Sequence, residues 1–133
     1  MTSFVDSSVL LDIFTEDPRW FAWSSGALAD AADRGNLAIN AVVYAEISAR
    51  FSTIEELEAL LPADVFEFQP VPREAAFLAA RAFLDYRRRG GFRDRPLPDF
   101  FIGAHAAVED VVLVTRDPAR IRAYFPTVRL ICP

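Results

Sequence analysis

Val111-Val112-Leu113-Val114-Thr115 is the stretch on which the fold turns. It is β-branched and apolar at odd and even positions alike, so a strand built from it buries both faces. That is the signature of an interior parallel strand covered by helices on either side. The same alternation runs outward in both directions. Upstream, Pro98 starts a helix through Phe101, Ile102, His105 and Val108, and Arg73 to Arg89 reads as a long helix ended by Gly90-Gly91. Downstream, a short helix begins near Pro118 and Val128 to Ile131 makes a last strand. In the N-terminal half, Phe4-Val5 is a brief strand and Ser7-Ser8 open a helix. A second helix runs from Pro18 to Arg34, and Leu37-Ala38-Ile39 is a strand. Asn40 is a good N-cap for the helix holding Val42 to Ile47. Thr53 and Glu56 are spaced as a capping box for a helix reaching Leu61, and Val65 to Phe68 is a further strand. Strands alternating with helices imply right-handed crossovers, and so an α/β fold with a parallel sheet between helical layers.

The 133 residues suit a single domain, 1–133, with a core that needs no disulfide or structural metal. Cys132 is the sole cysteine. No basic N-terminal segment precedes Phe4, and no run approaches the roughly 18 apolar residues of a membrane span, so a soluble cytoplasmic protein without membrane contact is expected. All 14 basic residues are arginine. The absence of lysine excludes Schiff-base chemistry, the P-loop lysine and phosphoaspartate sites with a lysine counter-ion. One histidine and one near-terminal cysteine leave Ser-His and Cys-His pairs poorly supplied. Carboxylate is what remains in quantity.

In an open parallel sheet, ligands bind at the carboxyl ends of the strands near the point where strand order reverses. Asp6 ends the first strand, Asp117 follows the Val111-to-Thr115 strand, Asp99 lies in the first turn of the helix feeding it, and Glu46 lies one turn into the helix after the second strand. Each has a structural reading as well. Asp6 or Asp117 would cap the helix that follows, Asp99 would suit a helix dipole, and Glu46 would pair with Arg50. Glu46 shares a helical face with Val42, Val43 and Ala49, and that face is expected to be buried. Together the four acids can converge on one sheet edge. Two carboxylates ~4 Å apart repel by roughly 4 kcal/mol at an effective dielectric of 20, so such a cluster calls for protonation or a cation. Hard oxygen donors without nitrogen or sulfur select Mg²⁺ or Mn²⁺, and cations so held activate water against a phosphodiester. The reading requires that the acids meet in one pocket, neither scattered nor neutralised singly by arginines.

The ordered segments Phe4-Val5-Asp6-Ser7-Ser8-Val9-Leu10-Leu11-Asp12, Asn40 to Glu46, Pro98 to Ala106 and Val114-Thr115-Arg116-Asp117 resemble the four motifs of PIN-domain ribonucleases. They are most similar to VapC-type toxins of bacterial toxin–antitoxin pairs. The resemblance covers essentially the whole chain. It implies a PIN-like three-layer sandwich with a parallel sheet of about five strands, and Mg²⁺- or Mn²⁺-dependent endoribonuclease activity. Asp6 and Asp99 match direct metal ligands, Asp117 a direct or water-mediated ligand, and Glu46 a ligand or water-orienting group. Thr115 matches the hydroxyl that supports Asp6. An antitoxin of the VapB type, packing on the region of Trp20, Phe21 and Trp23 while a basic side chain reaches the acids, and a homodimer are implied in the same way.

Other features fill out the picture. Arg87, Arg88, Arg89, Arg93 and Arg95 cluster around Gly90-Gly91, either as a rim guiding RNA phosphates or as a solvated helix end. Phe92 within them would stack on a base or fold into the core. His105 lies across its helix from Asp99 and reads as a packing residue, not a general base. Gly103 and Ala106 leave room beside the metals or serve close packing. Trp20, Phe21 and Trp23 cannot all face inward, so some line a groove. Two competing functions stand against the nuclease. One is a receiver-like or phosphatase site, which the missing lysine and Ser8 oppose. The other is a catalytically silent PIN-like RNA- or protein-binding module, which the four acids oppose.

Overall fold

The computed structural model describes residues 1–91 and 97–133. Five parallel strands form one sheet: β1 (Ser3–Val5), β2 (Leu37–Ile39), β3 (Phe66–Phe68), β4 (Val112–Val114) and β5 (Leu130–Ile131), in the order β3-β2-β1-β4-β5. β1 is central. Its Ser3, Phe4 and Val5 pair with Ser3↔Leu37 and Phe4↔Ala38 on one side and with Val112, Leu113 and Val114 on the other. All three residues of β1 and of β2 are buried, which requires helices over both sheet faces. The architecture is the α/β sandwich expected from the sequence.

The helices are α1 (Ser7–Phe14), α2 (Phe21–Arg34), α3 (Ala41–Ser48), α4 (Ile54–Glu58), α5 (Arg73–Arg88), α6 (Leu97–Glu109) and α7 (Ala119–Tyr124). The elements fall close to where expected: β1 gains Ser3, β2 matches, β3 to β5 are shorter, and two helix starts and one helix end are shifted. α2 begins at Phe21 instead of Pro18 because Asp17 Oδ1 accepts the Arg19 and Trp20 N–H groups and folds that segment into a turn. α4 stops at Glu58, three residues before Leu61, and α6 starts one residue before Pro98. The two expected caps form: Asn40 Oδ1 accepts the Val43 N–H at 3.0 Å, and Thr53 Oγ1 accepts the Glu56 N–H at 3.3 Å.

The small residues of α6 are explained by packing. A Cβ on buried Gly103 would lie 2.5 Å from Phe125 Cδ2 and 2.9 Å from Ile121 Cδ1, so the missing side chain admits α7 and the residue after it. Ala106 is fully buried. The room these positions leave is therefore filled by protein, not reserved for metals. Because Phe125 is itself buried and cannot swing away, Gly103→Val is expected to cost about 3 kcal/mol. Urea unfolding with the slope unchanged and the midpoint lowered is the expected result.

Candidate active site

Strand order reverses between β1 and β4, and the carboxyl ends of these two strands carry Asp6 and Thr115. The Asp6 N–H is held by the Val114 carbonyl at 2.9 Å, which fixes the residue on the sheet edge. Its side chain makes no cap for α1, so the helix-capping reading of Asp6 fails. Instead Asp6 Oδ2 accepts two hydroxyls, Ser8 Oγ and Thr115 Oγ1, each at 2.7 Å. Those hydroxyls are fixed in turn by the Arg116 N–H on Ser8 Oγ at 3.2 Å and the Asp117 N–H on Thr115 Oγ1 at 3.1 Å. Among the described residues no donor reaches Asp6 Oδ1.

Glu46 is half-buried at the margin of α3, not in the middle of a buried face. Val43 and Ile47 are the buried residues of that helix, while Ala49 is exposed. Its partner is Ser7, whose Oγ donates to Oε1 at 2.7 Å, and the alternative pairing with Arg50 does not form. The helix is tied to α6 by an amide–imidazole contact. Asn40 Oδ1 is committed to its cap, so Nδ2 faces His105 Nδ1 at 3.0 Å. That assigns Nδ1 as acceptor and leaves the ring proton on Nε2, which finds no partner among the described residues. His105 is buried against Phe4, with ring centroids 4.7 Å apart, and burial lowers its pKa. It is a neutral packing residue, as its position across the helix suggests.

Asp99 and Asp117 line a shallow cavity of about 290 Å³ with Pro118, Ala119 and Arg120. Neither is a plain structural acid. Pro118 occupies the N-cap position of α7, so Asp117 is not that cap. Both acids have arginine neighbours. Arg120 Nη1 donates to Asp99 Oδ2 at 2.5 Å, and Arg116 Nη1 to Asp117 Oδ1 at 3.3 Å. The main bond of Arg116 lies elsewhere, in a two-pronged pair with buried Asp12: Nε to Oδ2 at 3.1 Å and Nη2 to Oδ1 at 3.0 Å. Ser24 Oγ adds a third hydrogen bond to Asp12 at 2.7 Å, and the Arg116 guanidinium lies over the Trp20 ring.

The carboxylates feel one another. Asp6 is pushed above the usual range by burial, with Asp99 and Asp117 adding to the rise and the Ser8 and Thr115 hydroxyls opposing it. Glu46 is raised by burial and by Asp6 and Asp99, with Ser7 opposing. Asp99 is raised by burial and by Asp117, although Arg120 pulls it down. The four acids therefore share one electrostatic neighbourhood, relieved at two of its members by arginine. Among the described residues no three His, Cys, Asp or Glu side chains stand close enough together to hold a metal ion as they are placed. The donors are oxygen alone, and Asp6 offers an oxygen without a partner. In donor chemistry the set fits a hard divalent cation, for which Arg120 competes at Asp99.

Of the arginine cluster, Arg87, Arg88 and Arg89 are exposed at the end of α5, and Arg89 pairs with Asp85 at 3.1 Å. Arg93 and Arg95, with Phe92, lie outside the described residues. Phe21 is exposed, and Trp23 lines a cavity of about 520 Å³ under α2 that contains none of the four acids. Sequence reasoning missed Ser7, Ser8, Asp12, Arg116 and Arg120. The hydroxyls directly after Asp6 were a legible signal; the ion pairs, 104 and 21 residues apart in the chain, had none.

No curated protein matches the sequence. Solved structures match throughout. VapBC2 from Rickettsia felis bound to a promoter DNA fragment aligns at 17% identity and TM-score 0.71, covering 100% of this chain and 99% of that one. VapBC-1 from nontypeable Haemophilus influenzae aligns at 13% and 0.72, covering 99% and 98%. VapBC-5 from Mycobacterium tuberculosis aligns at 23% and 0.62, again covering 99% and 98%. The PIN domain family model matches residues 3–126, a span that holds β1 through α7 and all four acids, and the chain accordingly belongs to the PIN domain family.

Proposed function

We propose that the protein is a Mg²⁺- or Mn²⁺-dependent endoribonuclease, the VapC-type toxin of a toxin–antitoxin pair. What supports this reading is that Asp99 and Asp117 line one cavity and that Asp6, Glu46 and Asp99 are each raised in pKa by burial and by others of the four acids. Asp6 and Asp99 would be the direct metal ligands, Asp117 would bind directly or through water, and Glu46 would bind metal or orient the attacking water. A bound cation supplies an activated water and stabilises the leaving alkoxide of the RNA phosphodiester. The chain's own part is positional. Thr115 and Ser8 hold one oxygen of Asp6 still, Ser7 does the same for Glu46, and the Asn40–His105 contact keeps α3 and α6 in register.

Arg87, Arg88 and Arg89 form the described part of an RNA-guiding rim, with Arg93 and Arg95 assigned to it from sequence alone. The likeness to VapBC structures, one of them described as a member of a family of toxin–antitoxin systems, supports a VapB-type antitoxin as partner. The proposed homodimer rests on the family resemblance of the sequence alone. Among the described residues no helix is long and apolar enough to cross a membrane. A cytoplasmic location and a single domain over 1–133 complete the proposal.

The arginines on Asp99 and Asp117 favour a second reading, a PIN fold kept as a silent RNA- or protein-binding module. Incubation of a mixed RNA pool with the purified protein and Mn²⁺ separates the two. Cleavage that EDTA stops is the expected outcome. Intact RNA in saturating metal gives the answer to the binding module.

A further inference from the structure

Arg120 stands apart from the arginines of the exposed rim because it lies in the cavity with the acids. It projects from the first turn of α7, and its side chain is one-third exposed. A single N–H reaches Asp99, and the guanidinium carbon rests 5.5 Å from the centre of the Tyr86 ring. Tyr86 in turn packs edge-on against Phe100 and Tyr124, so the platform under the guanidinium is built into the core. One donor of five is used on the acid, and the flat face is used on the ring. Such a group is held both by its ion pair and by its ring contact, and most of its fork stays free to take up a second anion.

We infer that Arg120 is a phosphate-binding residue of the nuclease, held on Asp99 until a divalent cation takes that carboxylate, and then turned to an RNA phosphate beside the metal. The inference rests on the metal-dependent reading above. Its physical basis is direct. A cation on Asp99 draws on the same carboxylate charge that Arg120 Nη1 uses through Oδ2, and two positive groups in one small cavity repel each other. A phosphate arriving at the metal supplies the anion that Arg120 has lost, with fork geometry suited to two oxygens.

Two effects of opposite sign follow for Arg120→Gln. Calorimetric titration with Mn²⁺ alone is expected to show binding about tenfold tighter than in the wild type, since a competing cation is gone. Cleavage kinetics at saturating Mn²⁺ are expected to show a KM for RNA raised at least about fivefold with kcat changed much less. Arg120→Lys keeps the charge without the fork and is expected to bind Mn²⁺ as the wild type does while recovering only part of the KM. A merely structural arginine would weaken metal and RNA binding together, and that outcome overturns the inference. So does unchanged Mn²⁺ affinity in Arg120→Gln when the wild type binds the metal. If neither protein binds Mn²⁺, the metal-dependent reading itself falls, and the inference with it.

Discussion

Asp6→Asn is expected to lower Mn²⁺-dependent RNA cleavage by at least about 100-fold while leaving the metal-free protein as stable as the wild type or more so. Asparagine keeps an oxygen for the Ser8 and Thr115 hydroxyls that Asp6 Oδ2 accepts, so the local hydrogen bonding survives. What disappears is a negative charge that the fold buries beside two others. The pH dependence has a definite sign. The folded-state pKa of Asp6 lies above its unfolded value, so ionisation penalises the folded state. That penalty is absent well below the unfolded pKa, grows as the pH rises, and is complete once the pH exceeds the raised folded value. The stability advantage of Asp6→Asn is therefore expected at neutral pH and should vanish towards pH 3. Paired thermal melts in EDTA across that range check it. A variant that melts lower than the wild type at pH 7 would show that the carboxylate is a structural anchor.

The second large effect concerns stability. Asp12 is 2% exposed and receives two guanidinium bonds from Arg116 and one hydroxyl from Ser24. Asp12→Ala leaves a guanidinium and a hydroxyl without their acceptor in a largely dry site, for an expected loss of about 3 kcal/mol. The low end of the usual range applies because the Arg116 side chain is a quarter exposed and finds some water. Denaturant unfolding of the metal-free protein measures it. Removal of both partners, as in Asp12→Ala with Arg116→Ala, is expected to cost clearly less than the sum of the two single changes, the mark of a coupled pair. Because Arg116 sits between Thr115 and Asp117, the single change should also loosen the loop that carries them.

Much of this molecule is written locally. The Val112–Val114 strand announces itself by lacking a polar face, Asn40 by standing before a helix, and the acids by ending strands or opening helices on one edge. These signals survive because they depend on neighbours in the chain. The sequence alone puts the start of α2 at Pro18, and nothing in it signals that the Asp17 carboxylate collects two backbone N–H groups. Gly103 carried no sign of which neighbour needed the space, since Phe125 comes 22 residues later and from another element. The charge partners were the least legible. Arg116 and Arg120 look like ordinary basic positions until the chain has folded, and only the topology sets them against Asp12 and Asp99.

The placement of β1 between β2 and β4 has a consequence for the order of events at the ribosome. β1 must wait for β4, and the hydroxyl that steadies Asp6 comes 109 residues after it. A nascent chain thus carries no assembled acidic centre until Thr115 and Asp117 have been translated, and messages truncated upstream of Thr115 yield products that lack one altogether.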